Sequence, residues 1–419
     1  MSRALKFYRE FKASTWVRAV STLSFSALVA QSLILLATPI LSRLYNPEDF
    51  AALALFMAIY LIVGVAANLK YDQAIMLPKH NGESRTVFLL GLTTSIIVGL
   101  TLLFLLFLSF YFLGTIKNLP SYSFLSMGCL MGVIFSSYLC SNVMLNRREE
   151  YSRLAKIPVF QNILIVTLAF ALAFSNSQSG LIIAQALGIT IATLISLYFN
   201  REYLLRGWSL SEMIGVMKTY SANPKFLLPP ALLDSVSQYL PLFLILMYFD
   251  SFIGGQFAMS WRIMMIPMAL IGVSISQVFF QRFSAQKDDL IGKKRELIKT
   301  WKVLAFIGLP PLMLLLFFGE EIFIYVLGAK WSEAGILATL LAPMFYVRLI
   351  FGPTSTGFMI LGMQRYVFWY GSIMLILRPL TLVLGFEYVG LYFGVMIYSI
   401  FEVLTVILYQ RPLWLRLSH

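Results

Sequence analysis

Twelve apolar runs, most of about 20 residues, follow one another along this chain with only short polar breaks between them. They fall near 19–41, 50–69, 86–113, 121–145, 157–174 and 179–199, then near 226–249, 252–281, 301–318, 335–362, 366–386 and 388–409. A helix of about 20 apolar residues crosses about 30 Å of hydrocarbon. Lipid offers no partner for a free backbone N–H or C=O, so such runs must be helical. The expected fold class is therefore an all-α polytopic membrane protein with about 12 transmembrane helices. Composition agrees: 59% hydrophobic, 12% charged, mean hydropathy +0.81, leaving no material for a sizeable soluble domain. The first apolar run is too long for a signal-peptide core and no small-residue cleavage pattern follows it, so helix 1 is expected to be retained.

The basic residues orient these spans. With the N-terminus inside, the inner segments carry 26 lysines and arginines, while the outer ones hold only Arg43, Lys117 and Lys330. So strong a bias follows the positive-inside rule, and a span missed or invented would scramble it. Both termini are then cytoplasmic. The net charge of +13 reflects topology and contact with anionic lipid rather than nucleic acid.

The expected domains are an N-terminal six-helix bundle over 1–199, an amphipathic cytoplasmic joint over 200–225 and a C-terminal six-helix bundle over 226–419. Six spans on each side of the joint make the halves parallel repeats. In the joint, Leu204, Leu205, Trp208, Met213, Ile214, Met217 and Tyr220 fall near helical spacing. The 282–302 connection repeats the theme among seven basic residues. Both read as amphipathic helices lying on the inner leaflet, with cytosolic coiled segments as the alternative. Gly128–Gly132 and Gly390–Gly394 have the spacing of small-residue helix contacts. Prolines recur within the spans, which suits helices that line a cavity and move, or kinked helices that do not.

Three basic residues, Arg262, Arg348 and Arg378, fall in the middle of spans, with Glu402 at similar depth and Asp234 nearer the cytoplasmic side. An arginine at that depth costs several kcal/mol if it faces lipid, so each must face protein or water. One reading pairs Arg378 with Glu402 and Arg262 with Asp234, which leaves one arginine over. The other is a cationic lumen for an anionic ligand, since guanidinium never loses its charge and grips phosphate bidentately. The first half supplies Arg18, Lys70 and Asp72 nearer its cytoplasmic ends. Lys70 and Asp72 break an apolar stretch, AANLKYDQAIMLPKH (66–80), and read either as an entrance site for an anion or as a salt bridge holding a helix end.

Much chemistry is excluded. Cys129 and Cys140 lie in one expected helix, about 16 Å apart along its axis, and cannot form a disulfide there. Two histidines, His80 and His419, are too few for a metal site. No glycine-rich phosphate loop and no hydrolase or metalloprotease motif occurs, so neither ATP hydrolysis nor enzymatic catalysis is expected.

The stretch ATPILSRLYNPEDFAALALF (37–56), followed by LKYDQAIMLPKHNGES (69–84), resembles the N-terminal signature of Wzx-type polysaccharide flippases, of the MATE/MOP exporter superfamily. Arg43, Leu44, Tyr45, Pro47, Glu48 and Phe50 match its first part, with Ala51 where the family has glycine. Lys70, Tyr71 and Asp72 stand for its basic-aromatic-acid triplet, and Leu77-Pro78 closes it. Lysine in place of arginine gives up the bidentate geometry. The resemblance covers the first 85 residues.

It implies two bundles of six helices around a central cavity. It also implies alternating access that carries an undecaprenyl-diphosphate-linked oligosaccharide from the inner to the outer leaflet of the bacterial cytoplasmic membrane. The product would be O-antigen, capsule or exopolysaccharide, with a polymerase and chain-length regulator as partners. On this reading Arg262, Arg348, Arg378, Lys70 and Arg18 bind substrate, while Asp234, Glu402 and Asp72 are the coupling or gating acids. No cofactor is implied beyond a coupling H+ or Na+. Two other classes share part of this pattern: a multidrug extruder of the same superfamily, which usually carries acidic lumen residues, and an oligosaccharide polymerase or ligase. The latter needs a large outer loop, whereas the longest outer connection expected here is about 319–334.

Overall fold

The computed structural model describes residues 15–113, 121–174, 179–205, 209–286 and 289–417, with the side chains of 15–21, 113, 269, 270 and 273 set aside. Among these residues there is no strand. Ten helices among the described residues are long and apolar enough to cross a membrane. The last of them, Gln364–Arg416, is broken at Gly390, whose φ of 80° no ordinary helix contains. The expected span 252–281 is built from three consecutive pieces, each too short alone: Ser251–Pro267, a π stretch Met268–Gly272 and Val273–Ala285. Splitting the last helix and adding this composite gives the twelve passages expected. The π stretch starts directly after Pro267, where the missing proline N–H disturbs the ladder.

The chain divides into two compact units, one of residues 1–45 with 53–235, the other of 46–52 with 236–419. The first contains α1 (Thr15–Leu44), most of α2 (Pro47–Ala67), a one-turn α3 (Tyr71–Ala74), α4 (Asn81–Leu113), α5 (Tyr122–Arg147), α6 (Tyr151–Ala173) and α7 (Gly180–Phe199). Here α1 packs on α6, α6 on α7, α4 on α5 and α5 on α7. Lipid supplies no hydrophobic drive between helices, so close backbone approach matters more. Gly128 and Gly132 provide it: a β-carbon at either would run into Ile59 or Val63 of α2. Ser95 and Ser136 share a hydrogen bond of 2.8 Å between α4 and α5. Outward faces are apolar, with Ile96, Ile97, Leu100 and Phe104 of α4 exposed, as a lipid solvent demands.

The joint is α8 (Arg201–Leu205), α9 (Leu210–Thr219) and a π turn Asn223–Leu227, with Trp208 outside the described residues. Its apolar residues divide. Met213 and Val216 join Tyr71, Ile75, Val87 and Phe88 in a buried cluster, whereas Leu205, Leu210, Ile214 and Met217 stay exposed.

The second unit contains the rest of α10 (Leu228–Tyr248), then α11 (Ser251–Pro267), α12 (Val273–Ala285), α13 (Leu290–Leu327), α14 (Ser332–Phe351), α15 (Thr356–Ile360) and α16 (Gln364–Arg416). Helix α14 is its core, packed by α11, α13 and α16, and Leu337, Ala338, Leu341, Ala342 and Met344 are all buried. A helix covered on every side needs small residues, and a β-carbon at Gly335 would strike the Glu320 backbone of α13.

Three expectations are corrected. The basic 282–302 stretch is not a separate surface helix: from Leu290 it runs unbroken into the membrane-length helix α13. That helix also continues to Leu327, with a local distortion at Phe318, so the connection expected over 319–334 shrinks to a few residues around 3₁₀ turn Ala329–Trp331. Gly390 is a break rather than a packing contact, while Gly394 packs against Gly385 within α16.

Candidate functional site

In the second unit α14 and α16 bring three charged side chains together. Glu402 is fully buried, and its two oxygens accept from Arg348 Nη2 and Arg378 Nε, each at 2.5 Å. Arg378 also donates to Ser237 Oγ at 3.1 Å. The two guanidinium side chains remain 22% and 23% exposed. One carboxylate cannot neutralise two guanidiniums, so the triad carries a residual positive charge on its open side. The Arg348 guanidinium lies 5.7 Å from the centre of the Trp261 ring, whose π face adds to its support. Trp261 in turn packs edge-on against Phe345 at 5.1 Å.

Arg262 is the neighbour of Trp261 on α11. It is half-buried, and among the described residues it has no ion pair and no hydrogen bond. The expected partner Asp234 is exposed and forms no ion pair among the described residues. Of the two pairings expected, Arg378 with Glu402 exists, joined by Arg348, and Arg262 with Asp234 does not. The second unit thus presents three arginines against one buried acid. A multivalent anion matches that excess, with planar guanidinium forks suited to phosphate oxygens. Arg18 lies in α1 with its side chain outside the described residues.

Lys70, Tyr71 and Asp72 form a turn between α2 and α4. Leu69 and Lys70 are both left-handed, at φ 50° and 61°, a conformation that costs about 1–2 kcal/mol for a residue with a β-carbon. Side-chain amides hold it: Lys70 N donates to Asn68 Oδ1 at 2.9 Å, and Asn223 Nδ2 donates to the Lys70 carbonyl at 3.0 Å. Tyr71 and Asp72 are buried, while Lys70 stays half-exposed. Burial raises the Asp72 carboxyl from its ordinary value, with the Lys70 charge and backbone N–H groups opposing. The following apolar run only half tucks in: Ala74 and Ile75 are fully buried, Met76 and Leu77 exposed. Arg147 of α5 pins the run, donating to the carbonyls of Ile75 at 3.1 Å and Pro78 at 2.6 Å. Arg147 counted in the sequence only as one of many inner basic residues, and nothing local marked it as a clamp.

The remaining signature residues are structural. Tyr45 donates to the Ala169 carbonyl at 2.7 Å. Phe50 meets Trp331 edge-on at 5.2 Å. Glu48 and Arg43 are exposed. Pro47 abuts Gly255 so closely that a β-carbon there would overlap the proline carbonyl. Gly255→Ala is therefore expected to lower stability by about 1–3 kcal/mol, the range for overpacking. A melting temperature equal to wild type would contradict this contact.

Comparisons with known proteins place these features. Residues 40–335 match the family described as polysaccharide biosynthesis protein. An uncharacterized membrane protein in the cps region of Klebsiella pneumoniae is 20% identical over 321 residues, covering 75% of this chain and 65% of that relative. The teichuronic acid biosynthesis protein TuaB of Bacillus subtilis is 22% identical over 273 residues, 63% of this chain and 55% of its own length. The matches thus span less than two thirds of either relative. Among solved structures, an inward-facing MATE multidrug transporter of the MOP superfamily superposes with a TM-score of 0.72 at 16% identity, covering 94% of this chain and 98% of its own. The lipid II flippase MurJ, inward closed, gives 0.68 at 14%, covering 96% and 90%. At these identities the structures establish the fold, that of the MATE/MOP transporters.

Proposed function

This chain belongs to the polysaccharide biosynthesis protein family, and we propose that it is the flippase of such a pathway. It moves an undecaprenyl-diphosphate-linked oligosaccharide repeat unit from the inner to the outer leaflet of the bacterial cytoplasmic membrane by alternating access. The observation that carries this reading is the charge excess in the second unit: Arg262 unpaired among the described residues, with Arg348 and Arg378 sharing one buried acid.

The chemistry follows from what must cross. A diphosphate entering a low-dielectric region loses hydration worth many kcal/mol, and only fixed positive charge at that depth offsets the loss. Arg348 and Arg378 are held in place by Glu402, so they meet the phosphates without first being ordered. Among the described residues Arg262 has no partner to give up. A carrier of cationic drugs would gain nothing from this arrangement, which sets the extruder reading second despite the shared fold. The relatives support the pathway by name, one being a teichuronic acid biosynthesis protein, and a fold neighbour is a flippase for lipid II. The excess of basic residues on the expected inner side supports a cytoplasmic position for both termini. A polymerase and a chain-length regulator are the partners expected on the outer side.

The test is export in a strain lacking the native gene. Arg262→Ala is expected to lower surface polysaccharide about tenfold or more, as the loss of a charge-assisted contact does, while the protein still inserts at wild-type level. Arg348→Ala and Arg378→Ala behave alike. Tolerated lysine substitutions would assign the effect to charge alone, and full export in all three alanine variants would overturn the reading.

A further inference from the structure

One face of α13 changes character along its length. Arg295, Lys299, Lys302, Phe306, Met313 and Phe317 recur at three-, four- or seven-residue spacing, which keeps them on one stripe of the helix. Every one of them is exposed, Phe306 by 79% and Phe317 by 71%. Between Lys302 and Glu320 no residue is charged, and as a helix that run is about 27 Å long. This is close to the thickness of about 30 Å of a bilayer's hydrocarbon, so Lys302 marks one boundary of the lipid. Lys294, Arg295 and Lys299 lie within about 12 Å beyond it, at the depth of the headgroups.

At that end the side chains form an open groove of about 490 Å³, lined by Lys294, Arg295, Lys299 and Lys302 with Ile298 and Val303 between them. Lys294 Nζ stands 4.7 Å from the centre of the Trp414 ring of α16, which stacks on Trp301 at 5.8 Å. This cation–π contact sets one wall of the groove. The acids nearby look elsewhere. Asp289 caps the helix, accepting from Gly292 N at 2.8 Å, and Glu296 faces Arg282 of α12 at 3.9 Å. Among the described residues Arg295, Lys299 and Lys302 form no ion pair.

We propose that this stripe is a binding site for one anionic phospholipid, its headgroup phosphate in the basic groove and an acyl chain along Phe306, Met313 and Phe317. A molecule that is anionic at one end and apolar at the other matches a face that changes in the same order at the lipid boundary. A second copy of the chain fits less well, because a symmetric contact through this stripe would bring the two sets of cations together. The site lies outside the arginine triad, and the proposal holds whatever the carrier moves.

Native mass spectrometry of the detergent-purified full chain, with phospholipids of identical acyl chains added, tests it. Wild type is expected to retain one phosphatidylglycerol at a concentration about tenfold lower than it needs for phosphatidylethanolamine. Replacing Arg295, Lys299 and Lys302 together by glutamine should abolish that preference at an unchanged melting temperature. Exchanging the three for one another's type, Arg295→Lys with Lys299→Arg and Lys302→Arg, should keep it. As a control for charge alone, Arg201→Gln, Lys218→Gln and Lys225→Gln together remove the same number of cations from the joint and should keep it too. Equal loss in both glutamine triples would reduce the effect to net charge and overturn the site. Competition by glycerol phosphate, which has no acyl chain, would remove the apolar half of the proposal and overturn it as stated. Undecaprenyl diphosphate bound in a way that the α13 triple abolishes, with phosphatidylglycerol unaffected, would give the groove to the carrier lipid and overturn the assignment. A dimer that the α13 triple dissolves, with no lipid carried, would give the stripe to a second copy and do the same.

Discussion

Glu402→Ala is expected to lose about 3–5 kcal/mol of stability, the cost of breaking a buried ion pair from one side. Two guanidiniums that now share its oxygens at 2.5 Å would face each other with no acid between them. Neither can shed its proton, so the repulsion has no chemical relief. Thermal unfolding of the detergent-solubilised protein would report the loss as a lower midpoint and a smaller yield of monodisperse protein. Glu402→Gln keeps the shape and should fall between alanine and wild type. The informative comparison is a triple replacement of Arg348, Arg378 and Glu402 by apolar residues of similar volume. Such swaps are often neutral or stabilising, so this variant should recover the melting temperature yet remain dead for export. Stability and transport would then be separated at the same three positions. A Glu402→Ala protein as stable as wild type would mean that the carboxylate does not bind the arginines together.

The sequence made the membrane fold legible because lipid forces a simple code: apolar runs must be helices, and charges within them must be covered. The places where that code faltered share a physical cause. A glycine four residues from another can be a close helix contact, as Gly128 and Gly132 are, or a left-handed break, as Gly390 is, and the spacing is identical. The 282–302 stretch has the composition of an interfacial helix, yet from Leu290 onward nothing in it stops helix growth before Val303, so that part simply extends the span. Among the charges, depth along a helix was readable, but azimuth was not. Arg378 and Glu402, 24 residues apart on one element, were paired correctly. That Arg348 would reach the same carboxylate from α14, and that Asp234 would stay exposed, depends on helix packing that one chain does not encode locally. The family signature illustrates the same limit from the other side. Tyr45, Pro47 and Phe50 stand out in the sequence as a motif, and the structure spends them on packing rather than on a ligand.

Arg147→Ala should have the second-largest effect, and a local one. Its guanidinium satisfies two carbonyls in a run with no regular structure to satisfy them, and bonds to charged groups are worth about 1.5–3 kcal/mol each. Ser84 Oγ also donates to the Ile75 carbonyl at 2.9 Å, which leaves the Pro78 carbonyl as the group stranded by the substitution. The expected loss is therefore nearer about 3 than about 6 kcal/mol, most of it at Pro78. Hydrogen exchange should accelerate across residues 69–80 while α4 and α5 keep their protection, since both are held by other contacts along their length. Arg147→Lys keeps one charged donor but not the fork, and should lie between the two. Exchange across residues 69–80 as slow as in wild type would mean that Tyr71 and the α4–α5 packing beneath the run hold it without the arginine clamp.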